Sequence, residues 1–448
     1  MQLRSYQQEA RRFSLRQLLR PGPQGAALLL GMGLGKTATS LFIIDDLKAY
    51  GEIKKVLIVA PLRVVYSVWQ QEIANWGLNL SSTIIHGRKK DDLIHEDTDI
   101  HLINVDGVRW LKDKKPKYDM IVIDEGSKFK SWSSGRSKAL RKILPPKRIL
   151  LTGTPTPNCL SDLFSQMYLV DGGRSLGTTI GRFRAKYMKQ GGFENREWLM
   201  RPEMVPDLYE AIKPVCLHMK VEDYLDMPKV IYNKIWVSLP ASSVKEYASA
   251  ERKLLTELSS QGVFGRGSVY NQCRQIASGT MYSLDGGLVP IHTEKLEALK
   301  DLIDELYGNP LLVAYNYQHE LATFKKHFPK ASYINSDTHI RELAPTIEKW
   351  KAGKIKLLFC QSASMSHGVD GLQHGGCDIC WYSPTDQPEV HDQLNARLYR
   401  QGQNSSQVRF HYILAQNTIE ATILKRLETK GMTQSEFLSA MKKDIETR

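Results

Sequence analysis

The chain has 448 residues, 42% of them apolar and 24% charged, which excludes a disordered or collagen-like polymer and fits two or three globular domains. Its net charge of +13 points to a polyanionic partner, with plain solubility as the alternative reading of the same surplus. Six cysteines are too few for a disulfide scaffold, no apolar run reaches the ~18 residues of a membrane span, and "MQLRSYQQEARRF" lacks a signal-peptide core, so a cytoplasmic setting is expected.

In chain order, short apolar runs alternate with longer helical patterns. "ALLL" (27–30), "KVLIVAP" (55–61), "MIVIDE" (120–125) and "RILLTGTP" (148–155) are the expected strands of the first half. "LLVAYNY" (311–317), "KLLFCQSAS" (356–364), "CDICWYSP" (377–384) and "VRFHYIL" (408–414) are those of the second. Uninterrupted apolar strands between helices indicate parallel sheets covered on both faces, and two such series indicate two α/β lobes. Residues 158 to about 290 lack strand alternation and are expected to be mostly helical, as insertions and a connector. In "TEKLEALKDLIDELYG", Leu296, Leu299, Ile303 and Leu306 share one helical face, with Thr293 placed to cap the start and Gly308 the end. Cys377 and Cys380 form a lone CxxC without partner ligands and are expected on a buried strand.

The first chemical signal is "GAALLLGMGLGKTATSLFII" (25–44), an apolar strand that breaks into glycines and resumes as a helix. Such a turn exposes successive backbone N–H groups at a helix N-terminus, a site for anions. Gly31, Gly33 and Gly35 leave room for phosphate oxygens, Lys36 reaches the β and γ phosphates, and the Thr37 hydroxyl is suited to Mg²⁺. Leu30 stands where the phosphate-loop pattern has its first glycine. The second signal is "MIVIDEGSK": Asp124 and Glu125 emerge at the C-terminal end of a strand, the edge where open α/β sheets bind ligands. There Asp124 can hold Mg²⁺ through water and Glu125 can orient the attacking water.

With these motifs the chain resembles superfamily two helicases and, within them, the Swi/Snf-like DNA translocases. "LRSYQQEA" looks like that family's Q motif, which implies that Gln7 reads adenine. "APLRVVYSVWQQEIANW" resembles the next motif through Pro61, Trp69 and Glu72, and "LTGTPTPN" (151–158) the one that couples nucleotide and DNA sites. "HDQLNARLYRQGQ" (391–403) is the most specific match, placing Gln393, Arg397, Arg400, Gly402 and Gln403 in register with the sixth motif. The resemblance implies two tandem RecA-like lobes with parallel sheets plus helical insertions. The expected lobes are 1–225, with an insertion at about 158–225, and 226–448, with an insertion at about 240–290. It also implies an arginine finger, Arg400 first and Arg397 second, since a guanidinium stabilises the charge spread over a transferring phosphoryl group. Two departures stand out. Ser127 replaces the family's histidine after the acid pair, and "SASMSHGVDGLQHG" (362–375) differs from the fifth motif around Asp370 and Gly371, where Gly368 and Asp370 are the candidate nucleotide contacts.

The resemblance further implies an ATP-dependent motor, with ATP and Mg²⁺ as cofactors, tracking on duplex DNA without sequence preference. A strand-separating helicase and an ATP-gated binding module without turnover are the alternatives. Strand-end groups that can hold DNA phosphates are Arg63, Thr154, Ser362 and Ser364. In "GRFRAKYMKQ" (181–190), Arg182, Arg184, Lys186 and Lys189 interleave with Phe183 and Tyr187, as either a groove-lining insertion or an amphipathic helix with a solvated basic face. The chain has no room for a histone reader, so a minimal bacterial or phage-encoded motor is expected.

Overall fold

Aliphatic runs without polar interruption favour strands buried on both faces, and in the computed structural model they form two parallel sheets. The structure describes residues 2–22, 24–153, 160–191, 197–259, 269–283, 287–365, 369–429, 440, 443 and 445. Two units, Met1–Asp226 and Met227–Arg448, each enclose their own cores.

In the first unit the strands are β1 (Gln24–Leu30), β2 (Val56–Ala60), β3 (Ser82–Ile84), β4 (Ile100–Asn104), β5 (Met120–Asp124), β6 (Lys147–Thr152), β7 (Met188–Gly191), β8 (Glu197–Met200) and β9 (Cys216–Met219). Seven of them form one sheet in the order β3-β4-β2-β5-β6-β1-β9, with every pairing parallel. Alternate residues feed opposite cores. Ala27, Leu29, Val59, Ile123 and Leu150 point to one, and Leu28, Leu30, Ile58, Val122 and Leu151 to the other.

In the second unit the strands are β10 (Lys229–Val237), β11 (Thr280–Tyr282), β12 (Leu288–Pro290), β13 (Leu311–Tyr315), β14 (Ser332–Ile334), β15 (Leu357–Gln361), β16 (Asp378–Trp381) and β17 (Gln407–Ala415). Six form a parallel sheet in the order β10-β17-β16-β13-β15-β14. Its faces are covered by two clusters, one around Trp350 and Trp381 and one around Phe324 and Phe359. A third core joins the insertion helices Ala241–Ser259 and Val269–Ser278 to the helix Ile419–Glu428 through Leu254, Cys273, Ile276, Ile423 and Leu427.

The stretch expected to be mostly helical also carries strands. β7 and β8 form an antiparallel hairpin, β11 and β12 a second, β9 closes one edge of the first sheet and β10 one edge of the second. β10 escapes a periodicity reading because none of its residues is fully buried. Among the described residues, no helix is long and apolar enough to cross a membrane.

Candidate functional site

Three strand ends meet at one edge of the first sheet. β6 lies between β1 and β5, with Leu29 opposite Thr152 and Leu151 opposite Asp124. The glycine loop, the acid pair and the Thr-Gly of "LTGTP" are therefore neighbours because of strand order, though far apart in sequence.

The loop after β1 turns through Gly33 and Gly35, both at positive φ (90° and 74°), where a side chain would be strained. Gly35 caps the 14-residue helix Lys36–Ala49, so that helix's free N–H groups and dipole face the loop. Lys36 Nζ donates to Leu30 O at 2.9 Å, folded back over the loop. A Cβ added at Gly153 would lie 3.5 Å from that Nζ and 3.3 Å from Met32 Cγ, so the strand end after β6 packs directly on the lysine. Thr37, on the first turn of the same helix, is half-buried.

Gln7 sits beside this loop, 7% exposed. Its Oε1 accepts from Arg4 N–H at 2.9 Å, closing the first turn of the helix Ser5–Leu18, and its Nε2 lies 3.4 Å from Leu34 O. A methyl at Gly35 would collide with the Gln7 amide, so the loop glycine also makes space for this side chain. Arg11 grips Asp46 with a two-pronged ion pair, tying the N-terminal helix to the helix of Lys36.

Asp124 is 7% exposed at the end of β5. Burial pushes its carboxyl up, the adjacent Glu125 pushes in the same direction, and the Lys36 charge opposes both. The indole N–H of Trp69 also favours the carboxylate, yet Nε1 has no partner at hydrogen-bond distance, so it acts as a nearby dipole. Trp69 is fully buried, and the sequence revealed it only as a motif match. Glu125 occupies the left-handed region (φ 57°, ψ 62°), an uncommon conformation for a side chain other than glycine, of the kind that concentrates at functional sites. Gly126 follows because a Cβ there would lie 2.6 Å from Leu150 Cδ2 on β6. Ser127, in the place of the family's histidine, is 1% exposed.

In the second unit the helix Pro388–Leu398 carries Gln393 and Arg397, and Arg400 follows it. Gln393 is 1% exposed; its Nε2 reaches Glu389 Oε1 at 3.3 Å, while its Oε1 is buried without a partner. Arg397 is half-buried, and its Nε is likewise unmatched although the residue has other contacts. Arg400 Nη1 donates to Asp370 Oδ1 at 2.7 Å. Desolvation would raise the Asp370 carboxyl, but the charge of Arg400, the Gly371 N–H, Arg397 and Lys351 outweigh it and hold it below the usual carboxylate range. With 70% of that side chain in solvent, the preference carries little stability.

The remaining candidates are dispersed. Arg63, on the helix Leu62–Ser67, is half-buried, and desolvation lowers its guanidinium. Ser362 is 2% exposed, and its hydroxyl donates to Asn316 Oδ1 at 2.7 Å. Ser364 donates to Gln361 Oε1 at 3.1 Å. Thr154 and Gly368 lie outside the described residues. The basic stretch 181–190 includes a helix, Ile180–Tyr187, that buries Phe183 and Tyr187 and stacks Arg184 on Trp198 at 5.2 Å.

Comparison with known proteins identifies the family. A family model described as the SNF2-related domain matches residues 6–277. Protein p41 of Acyrthosiphon pisum secondary endosymbiont phage 1 is 33% identical over 439 residues, covering 92% of this chain and 94% of its own. The human SWI/SNF-related matrix-associated actin-dependent regulator of chromatin subfamily A member 1 is 23% identical over 89% of this chain, which spans 40% of that protein. Among solved structures, the Sulfolobus solfataricus SWI2/SNF2 ATPase core in complex with dsDNA aligns with 100% of this chain and 94% of its own, at 22% identity and a TM-score of 0.47. A family model matching more than half of the chain, together with a phage relative matched along nearly its whole length, places the chain in the SNF2-related domain family, as a helicase-like ATPase core.

Proposed function

We propose that this ATPase core converts ATP hydrolysis into movement along duplex DNA, without sequence preference and without separating the strands. The observation that carries the proposal is the seating of β6 between β1 and β5. It sets Gly153 against Lys36, so whatever grips the segment after β6 is mechanically joined to the groups that grip phosphate.

In this reading Gln7 holds the base, and the backbone of Gly31, Gly33 and Gly35 cradles the phosphates. Lys36 leaves its contact with Leu30 O to reach the β and γ oxygens. Thr37 and Asp124 offer a hydroxyl and a carboxylate, the hard oxygen donors a divalent cation such as Mg²⁺ takes. Burial and the neighbouring Glu125 both disfavour the charged form of Asp124, opposed by Lys36, so a cation at this strand end would relieve that cost. Such an ion, when bound, neutralises phosphate charge. Glu125, held by its left-handed backbone, orients the attacking water. Arg400, with Arg397 second and Gln393 behind them on the helix, supplies the guanidinium that stabilises charge on the departing γ-phosphate. Gly368 and Asp370 contribute nucleotide contacts, while Arg63, Thr154, Ser362 and Ser364 hold DNA phosphates.

The deciding experiment is displacement of a third strand from a DNA triplex. ATP-dependent stripping by the wild type, absent in Lys36→Ala, supports tracking. Release of an annealed strand from a forked duplex instead assigns a strand-separating helicase. Tight DNA binding with no ATP turnover assigns a nucleotide-gated binding module, a reading that the buried Ser127 in the histidine position would favour.

A further inference from the structure

The second unit contains a charged side chain that the ATPase reading does not use. Arg274 belongs to the insertion helix Val269–Ser278 and is 8% exposed. Its Nη2 donates to Pro384 O at 3.1 Å, and its Nη1 lies 3.4 Å from Asp386 Oδ1. The guanidinium sits 5.6 Å from the ring centre of Tyr270 and 5.3 Å from that of Tyr317. Tyr270 in turn donates its hydroxyl to Asp386 Oδ2 at 3.3 Å. A planar fork is suited to such a place, because it satisfies a carbonyl and a carboxylate at once while its faces meet aromatic rings.

What Arg274 grips is a short link. Ser383 lies just beyond β16 and exchanges contacts with Asn316, whose Nδ2 donates to Ser383 O at 2.8 Å and approaches Ser383 Oγ at 3.0 Å. Asn316 also receives the Ser362 hydroxyl. Pro384 and Asp386 follow Ser383, and the helix carrying Gln393 and Arg397 begins at Pro388. One end of the link is therefore tied to the strand ends that include a candidate DNA contact, and the other end is the arginine helix. Between them the insertion supplies a buried clamp.

We infer that Arg274 is a positioning residue, which through Pro384 and Asp386 fixes the direction of the helix bearing Gln393 and Arg397 and leading to Arg400, and so sets how well those groups meet the phosphate during turnover. The inference rests on the proposed function and assigns the helical insertion a part in it. Arg274 touches neither nucleotide nor DNA in this scheme. Its loss misdirects groups that do, and small misplacements of reacting groups are costly in rate.

The test uses the full chain as wild type, Arg274→Lys, Arg274→Gln, Asp386→Asn and the Arg274→Lys/Asp386→Asn pair. Turnover is measured at saturating duplex DNA, with the KM for ATP and the melting temperature taken alongside. Lysine keeps the charge but lacks the planar fork, so it meets Pro384 O and Asp386 in poorer geometry and gives up the flat contact with Tyr270 and Tyr317. The expected order of kcat is therefore wild type, then Arg274→Lys, then Arg274→Gln, with Arg274→Gln down by about tenfold or more. The KM for ATP should stay within about twofold, because the phosphate loop is untouched. The pair should lose little more than the worse single variant, since both cut one link. Should Arg274→Gln fail to fold, Asp386→Asn, whose side chain is 27% exposed, provides the same comparison. Folded variants with wild-type kcat overturn the inference, as does a parallel rise in KM. A wild type that DNA does not stimulate overturns the proposed function itself, a result visible without any variant.

Discussion

Arg400 and Asp370 form an ion pair at 2.7 Å, joining the end of the arginine helix to the segment that follows β15. The pair is lopsided: the arginine side chain is 20% exposed and the carboxylate 70%. A guanidinium held so loosely by its partner is kept in place without being locked.

Two variants separate the roles of this pair. Arg400→Ala should reduce ATP turnover by about 10³-fold or more if the residue stabilises phosphoryl charge. Asp370→Asn should change unfolding free energy by less than about 1 kcal/mol, as expected for an exposed pair. Phosphate release and thermal melting measure the two. Turnover by Arg400→Ala within tenfold of wild type would move the finger assignment to Arg397.

Gly126→Ala should destabilise the first unit by about 1–3 kcal/mol, because the added methyl overpacks against Leu150 on β6. Trimming the neighbour in Gly126→Ala/Leu150→Val should recover part of that loss. A double-mutant cycle from chemical denaturation gives the coupling, and strictly additive effects would show that the two positions do not meet.

In the second unit, Lys295 is 0% exposed and Glu420 2%, and they pair at 2.5 Å. Lys295 also donates to Tyr382 O, and Glu420 accepts from Ala415 N–H. Removing one partner leaves a buried charge, so Lys295→Met should cost about 3–5 kcal/mol. Lys295→Met/Glu420→Leu should cost less than the single change, although the Tyr382 carbonyl and Ala415 amide then lack partners. A double variant no more stable than Lys295→Met would contradict the buried-charge account.

His292 gives the second unit a pH dependence. Burial, reinforced by the Lys295 charge, lowers its pKa to about 4, despite the hydrogen bond between Nε2 and Ile276 O. In the unfolded chain the value is about 6.5. The unfolded state therefore binds the proton more readily, so this stability is present above pH ~6.5 and is lost as pH falls toward 4. Between pH 7 and 5 the loss should be roughly 1–2 kcal/mol, allowing for the ring's partial exposure. His292→Gln should flatten denaturation midpoints over that interval; an unchanged slope would assign the effect to other groups.

Legibility in the sequence followed chemistry. The central strands were readable because runs such as Met120–Asp124 are apolar on both faces, as a covered parallel sheet requires. β4 was not readable, because His101 interrupts it; in the fold that ring is buried, hydrogen-bonded to Tyr118 Oη at 2.9 Å. The phosphate loop and acid pair were legible as spacing, but their adjacency depends on β6 lying between their strands, which no local pattern encodes. Lys295 and Arg274 were hidden for a different reason. Composition places charged residues at the surface, and only tertiary partners reveal that these two are interior.

The pairing of β10 with β17 has a consequence for biosynthesis. Lys229 meets Gln407 and Val237 meets Ala415, so the strand leaves the ribosome well before its neighbour exists. At about 5–20 residues per second the wait is roughly 10–35 s. Throughout it a nascent edge bearing Tyr232 and Trp236, still 63% and 43% exposed in the finished fold, is open to other chains. Chaperone demand during translation, and aggregation of truncations ending before residue 407, should concentrate on this strand.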